Sequence, residues 1–307
     1  MTDPVRAVLF DLDGTLTDTN YGHAIAWSRA FRQEGHQVTM AAIHRHIGMG
    51  SDRLLDALLP GRDRARDDVL TAAHTEHYAS FIGLIEPLPG ARELVRVVAR
   101  RGARVVLATS APPAELRALR AALDIEDCLT AVTSAADVDS SKPAPDILRL
   151  ALDESGADPR NAVMVGDTRW DVLAAQRAGI PCVAVLTGGI GADELIEAGA
   201  SAIYAGPDDL LANVDVSPIG RLLRARRPEE SSSIEAGQPG RCVPVADART
   251  AAGRDPCADP WVASVSPVVV TPGRDDDRRA RGEDPGGPVR SQRDAVPGGT
   301  VRPNRWL

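Results

Sequence analysis

Apolar positions follow two rhythms along this chain. Val5 to Phe10 is an almost unbroken apolar run, and shorter runs recur at Arg104 to Ala108, Ala131 to Thr133, Ala162 to Val165, Cys182 to Leu186 and Ala202 to Tyr204. Runs of this length, without polar alternation, predict strands buried on both faces. Helical segments separate them: one around Arg92 to Arg100, one after Pro112 and Pro113, one opened by Pro145 and Asp146, and one ending at Gly179. Strands alternating with helices predict an α/β fold with a doubly wound parallel sheet, whose ligands belong at the carboxyl ends of the strands.

The stretch between Thr17 and Glu86 has a different rhythm. Ala24, Ile25, Trp27 and Phe31 fall on one helix face, Leu54, Leu55, Leu58 and Leu59 repeat that spacing, and all six histidines lie here. This predicts a helical insert in the sheet domain. From Pro218 onward the chain is dense in Pro, Gly, Ser, Arg and Asp without lasting periodicity, which reads as a disordered tail. Within it the valines between Pro267 and Pro272 read as a sticky linker. The expected organisation is therefore a core formed by residues 1–16 and 87–217, an insert at 17–86 and a low-complexity tail at 218–307.

The 307 residues are 43% hydrophobic and 25% charged, enough to bury a full core. The formal net charge of -8 argues against a nucleic-acid or anionic-membrane surface. The acidic start runs straight into a strand, unlike a secretory signal, and no apolar run is long enough to span a bilayer, so a cytoplasmic protein is expected. Cys128, Cys182, Cys242 and Cys257 are widely spaced, as reduced thiols are.

The chemistry concentrates where strands end. Asp11 and Asp13 follow the first strand, and residues two apart share a face, so both carboxylates can reach one small volume. Gly14 and Thr15 let the loop turn sharply beside them. Thr109 and Ser110 follow a second strand, and Gly166, Asp167 and Asp171 a third. Lys142 is the only lysine in the chain, in a composition that otherwise uses arginine for every strong base. A compact ammonium fits a narrow phosphate pocket that a planar guanidinium does not.

In this order and at these spacings the motifs resemble those of the haloacid dehalogenase superfamily. Asp11 to Thr15 matches its first motif, Thr109 its second, Lys142 its third and Gly166 to Asp171 its fourth, and the likeness extends from Val5 to about Leu211. The resemblance implies a Rossmann-like core with an inserted cap, and a phosphatase acting on a small phosphorylated metabolite. Asp11 would be the nucleophile, Asp13 the acid and base, and Thr109, Ser110 and Lys142 the phosphate contacts. Mg2+ would be held by Asp11, the Asp13 backbone carbonyl and Asp167, with Asp171 in support. Asp13 argues against a dehalogenase, whose leaving halide needs no proton, and the absence of a cap lysine argues against a phosphonatase. Thr19, His23 and Trp27 resemble the hinge of β-phosphoglucomutase, which leaves a mutase as the alternative to a phosphoglycolate- or sugar-phosphate-type phosphatase. A non-catalytic scaffold is disfavoured because every motif residue is present. Thr19, His23 and Arg53 are expected substrate contacts from the insert, while His74 and His77 read as a solvated pair. The oligomeric state is not specified.

Overall fold

The computed structural model describes residues 4–224 and the backbone of 268–269. Strand β1 (Ala7–Phe10) is completely buried, and its side chains alternate between two cores: Val8 and Phe10 enter one, Ala7 and Leu9 the other. That division is the structural meaning of the unbroken apolar run, since a strand covered by helices on both faces has no solvent side to mark with polar residues. Six parallel strands stand in the order β3 (Leu129–Thr133), β2 (Arg104–Ala108), β1, β4 (Ala162–Gly166), β5 (Cys182–Val185), β6 (Ala202–Tyr204). The register aligns Phe10 with Leu107 on one side and with Val165 on the other, so the loops after β1, β2 and β4 emerge side by side. The order reverses at β1, which makes its carboxyl end the topological switch point where such sheets bind ligands.

Helices α5 (Ala91–Arg100) and α6 (Pro113–Leu123) cover one face through Leu94, Val95, Val98, Leu116, Leu119 and Leu123. The other face is covered by α7 (Asp146–Ser155), α8 (Arg169–Ala178) and α9 (Ala192–Ala198), which contribute Ile147, Leu148, Val172, Ala175 and Leu195. Between residues 17 and 86 run the helices α1 (Asn20–Gln33), α2 (Met40–His44), α3 (Ser51–Leu58) and α4 (Asp67–Tyr78), packed around their own core of Trp27, Phe31, Ile43, Leu54, Leu55 and Leu70. Thr17 bridges to Pro87, so the chain leaves and re-enters the sheet domain at one point.

One expectation is corrected at the carboxyl end. After α10 (Pro207–Ala212) a further helix, α11 (Pro218–Arg224), lies within the segment read as tail; Ile219 is fully buried, and Leu222 and Leu223 pack on the sheet core. Its apolar spacing covers barely two turns, too short to register as periodicity against the Arg-rich sequence around it. Val268–Val269 form a short strand antiparallel to β6. The rest of the expected tail, with Cys242 and Cys257, lies outside the described residues. Helix α11 has a testable consequence: a chain ending at Val216 should melt lower than one ending at Arg224, by roughly 5 °C or more, because it loses a buried isoleucine and its leucine neighbours. Equal melting temperatures would mean that α11 adds nothing to the core.

Candidate active site

Asp11 is fixed by the sheet itself, its backbone N–H donating to the Val165 carbonyl at 2.9 Å as the first residue beyond β1. The loop then closes on Leu12, whose carbonyl accepts from the N–H groups of Thr15, Leu16 and Thr17. Gly14 takes φ +74°, and a Cβ there would lie 2.4 Å from both the Asn20 amide and the Asp167 carboxylate. Conformation and space therefore both demand glycine.

Lys142 is completely buried, its Nζ 2.6 Å from Asp11 Oδ1 and 2.8 Å from Asp171 Oδ1. Burial would lower the lysine pKa, but the two carboxylates outweigh it and raise it, so the ammonium is retained. Asp171 serves two partners. Its Oδ2 accepts from the Thr168 N–H at 3.1 Å and hydroxyl at 2.6 Å, closing a capping box at the start of α8, while Oδ1 meets Lys142. Asp167 accepts from Thr15 Oγ1 at 2.9 Å and from Asn20 Nδ2 at 2.8 Å.

Ligand oxygens of Asp11, Asp167 and Asp171 lie within 4.8 Å of one another, all buried. Burial drives the Asp11 pKa up to about 7, with Asp171 and Asp13 adding to the rise against Lys142. Asp167 is raised well above the usual carboxylate range, by burial and then by Asp171 and Asp11. Three carboxylates and one ammonium leave a formal charge of -2 in a buried volume. An oxygen-only donor set with that charge fits a hard divalent cation.

Asp13 turns toward the insert. Its Oδ1 accepts from Thr19 Oγ1 at 2.6 Å and lies 3.3 Å from His23 Nε2, and His23 Nδ1 is 3.2 Å from His74 Nε2. Thr19 occupies the N-cap position of α1 but makes no capping bond; its hydroxyl is spent on Asp13. Burial would raise the Asp13 pKa, but the hydrogen bonds from His23 and Thr19 bring it below its ordinary value. Burial would lower that of His23, and Asp13 overrides it and raises it. Their contact ties the sheet domain to the insert.

A cavity of about 340 Å³ opens over Asp11 and Asp13, walled by the insert through His23, Trp27 and Gly48 and by the sheet domain through Ser110 and Glu115. Ser110 reaches across it, its hydroxyl donating to the Gly48 carbonyl at 3.3 Å.

The family match is decisive. The model of haloacid dehalogenase-like hydrolases matches residues 5–179, which contain every motif described above. The chain belongs to this family. It is 32% identical over 210 residues to a phosphoglycolate phosphatase of Rhodospirillum rubrum, covering 65% of this chain and 86% of that protein. It is 28% identical over 210 residues to a phosphorylated carbohydrates phosphatase of Thermotoga maritima, covering 67% and 97%. A crystal structure of a hydrolase from Pseudomonas syringae superposes with a TM-score of 0.67 at 33% identity, covering 69% of this chain and 99% of that one.

Asp11, Lys142, Asp167 and Asp171 are gathered in one place with Asp13 beside them, but Thr19 lies outside the cavity wall with its hydroxyl on Asp13, and three further residues depart from expectation. Arg53 does not line the cavity; its guanidinium donates to Ser140 Oγ at 2.6 Å on the exposed rim and lies 3.6 Å from Asp52. Thr109 is buried but is not part of the cavity wall, its hydroxyl accepting from the Ala111 N–H at 3.0 Å. His74 is no solvated partner of His77: it is buried, 4.4 Å from Trp27 ring to ring, whereas His77 contacts Gln33 at the surface. Sequence reasoning also passed over Asn20 and Glu115. Asn20 reads as an ordinary helix-start residue, and Glu115 as a first-turn glutamate that favours the helix dipole.

Glu115 is 2% exposed, and burial pushes its pKa to about 7, with Asp13 adding to the rise and His23 opposing it. An unfolded chain ionises it near 4.5, so between these values the folded protein holds a proton that the unfolded chain has released. Stability from this residue therefore falls as pH rises through that window. The drop in melting temperature between about pH 5 and about pH 7.5 should be smaller in Glu115→Gln than in wild type, and equal drops would contradict the assignment.

Proposed function

We propose that this hydrolase is a Mg2+-dependent cytoplasmic phosphatase of small phosphomonoesters, of the phosphoglycolate or sugar-phosphate type, acting through an aspartyl-phosphate. The observation that carries this reading is the fully buried lysine joining Asp11, which lines the cavity, to Asp171 behind it, so that a nucleophile and a developing negative charge would meet beside a fixed ammonium. The names of the Rhodospirillum and Thermotoga relatives support the substrate class.

In the first step an Asp11 carboxylate oxygen attacks phosphorus, the bond to the leaving oxygen breaks, and that oxygen takes a proton from Asp13. In the second, water attacks the same phosphorus, gives its proton to Asp13, and the bond to Asp11 breaks. His23 and Thr19 orient Asp13 and keep a proton next to it. Lys142 holds Asp11 in place and balances charge on the phosphoryl oxygens, with Ser110 as a hydroxyl donor from the loop after β2 and Thr109 shaping that loop through its bond to the Ala111 N–H. Mg2+, held by Asp11, Asp167 and the Asp13 backbone carbonyl with Asp171 in support, would stabilise the charge on the transferring group.

Phosphate release from a panel of phosphomonoesters, with and without chelator, tests the proposal. Release that chelation abolishes and magnesium restores is expected; isomerisation of a hexose phosphate without release would favour a mutase instead. Asp13→Asn should slow turnover roughly 100-fold while leaving substrate binding intact, since both proton transfers lose their group. An unchanged rate would assign the proton to another residue.

A further inference from the structure

The cavity holds an acid that the reaction above does not use. Glu115 sits in the first turn of α6, and neither of its carboxylate oxygens has a hydrogen-bond partner among the described residues. Burying a carboxylate without partners is costly, and chains that keep one in a binding cavity have a use for its acceptor oxygens. It caps nothing: α6 starts behind Pro112 with no side-chain capping bond. Its position in the cavity wall, across from the insert, faces whatever the phosphate is attached to.

The rest of the lining narrows what that group can be. Among the described residues, no lysine or arginine lines the cavity, whereas Asp52 and Asp139 do. Arg53, the nearest candidate to balance a second anion, is committed to Ser140 on the rim. His23 is committed to Asp13. Apart from His74, which is held against His23, the neutral part of the wall is hydroxyl-bearing or apolar, including Ser51, Thr71, Thr75 and Leu54. A substrate carboxylate would meet acids here and no free cation, while a substrate hydroxyl would find an acceptor waiting.

We propose that Glu115 is a specificity-determining residue that accepts hydrogen bonds from hydroxyl groups of the leaving group, selecting uncharged polyol or sugar phosphates over phosphate esters that carry a carboxylate. This rests on the phosphatase reading above and narrows its substrate class.

The test compares kcat/KM for glucose 6-phosphate, glycerol 1-phosphate, phosphoglycolate and 4-nitrophenyl phosphate, the last having neither hydroxyl nor carboxylate on its leaving group. The better of the two polyol esters should exceed phosphoglycolate by about tenfold or more. Measured at about pH 8, above the value of about 7 to which burial raises Glu115, the ratio of kcat/KM for that ester to the value for 4-nitrophenyl phosphate should fall in Glu115→Leu by roughly 10- to 100-fold, chiefly through KM, the loss expected for hydrogen bonds to a charged group. Glu115→Gln, which keeps one acceptor oxygen, should recover most of that ratio. The leucine variant should also melt no lower than wild type, as removal of an unpartnered buried acid predicts and removal of a structural one does not. Phosphoglycolate turnover equal to or better than the polyol esters, or a ratio unchanged within about twofold in Glu115→Leu, would overturn the proposal. If none of the four esters is hydrolysed, the phosphatase reading fails separately. Calorimetric titration of Asp11→Asn protein with glucose 6-phosphate and phosphoglycolate then decides the role of Glu115 by the same preference and its loss in Glu115→Leu.

Discussion

Asp11→Asn is expected to abolish phosphate release, by on the order of 10⁴-fold or more, without unfolding the protein. The amide matches the carboxylate in shape, so the strand-end position set by the bond to Val165 persists. What disappears is the nucleophilic oxygen and one negative charge from the -2 cluster with Asp167 and Asp171. Lys142 keeps its second partner, Asp171 at 2.8 Å, so the buried ammonium is not left alone. Removing a carboxylate whose pKa burial has already pushed to about 7 costs the fold little. Circular dichroism and melting should therefore look like wild type while turnover vanishes. Residual activity above a tenth of wild type in a clean preparation would take the nucleophile's role from Asp11.

Lys142→Arg is the second large effect, and a superficially mild one. The ammonium touches Asp11 at 2.6 Å and Asp171 at 2.8 Å inside a space with no solvent exposure. A guanidinium is wider and planar, and it cannot place its charge at the same point without shifting Asp11 by about 1 Å, a displacement that costs on the order of 100-fold in turnover. Overpacking should lower stability by about 1–3 kcal/mol, short of unfolding. Steady-state kinetics should show the loss in kcat, with substrate binding reduced less. Wild-type turnover would show that a point charge at this position is not required, and would undo the reason for a single lysine in an arginine-rich chain.

How legible this was depended on which physical signal each element left in the sequence. Strands buried on both faces announce themselves as apolar runs, so Arg104–Ala108 and Ala202–Tyr204 coincide with the observed elements and the others differ by a few residues at their ends. Asp11, Lys142, Asp167 and Asp171 converge because each follows a strand or opens a helix at one edge of the sheet, and alternation of strands and helices fixes that edge. The insert was harder to read. Helical periodicity shows that α1 and α3 have buried faces, but not that His74 of α4 would pack between His23 and Trp27, because histidine suits both core and surface. Arg53 illustrates the converse: a long charged side chain beside a Gly-rich turn looks like an anion contact, and only the three-dimensional placement of Ser140 shows where its guanidinium goes. Glu115 left no signal, since a first-turn glutamate is favoured in any helix and only the wall around it reveals that its oxygens lack partners.

The central claim, covalent catalysis by Asp11, is tested most directly by rapid acid quenching of the magnesium-loaded enzyme during turnover of a ³²P-labelled phosphomonoester, followed by peptide mapping. The account predicts hydroxylamine-labile label on the peptide containing Asp11, at a level that tracks turnover, and none in Asp11→Asn. Rapid phosphate release with no label on the protein, or label mapped to a peptide without Asp11, would contradict it.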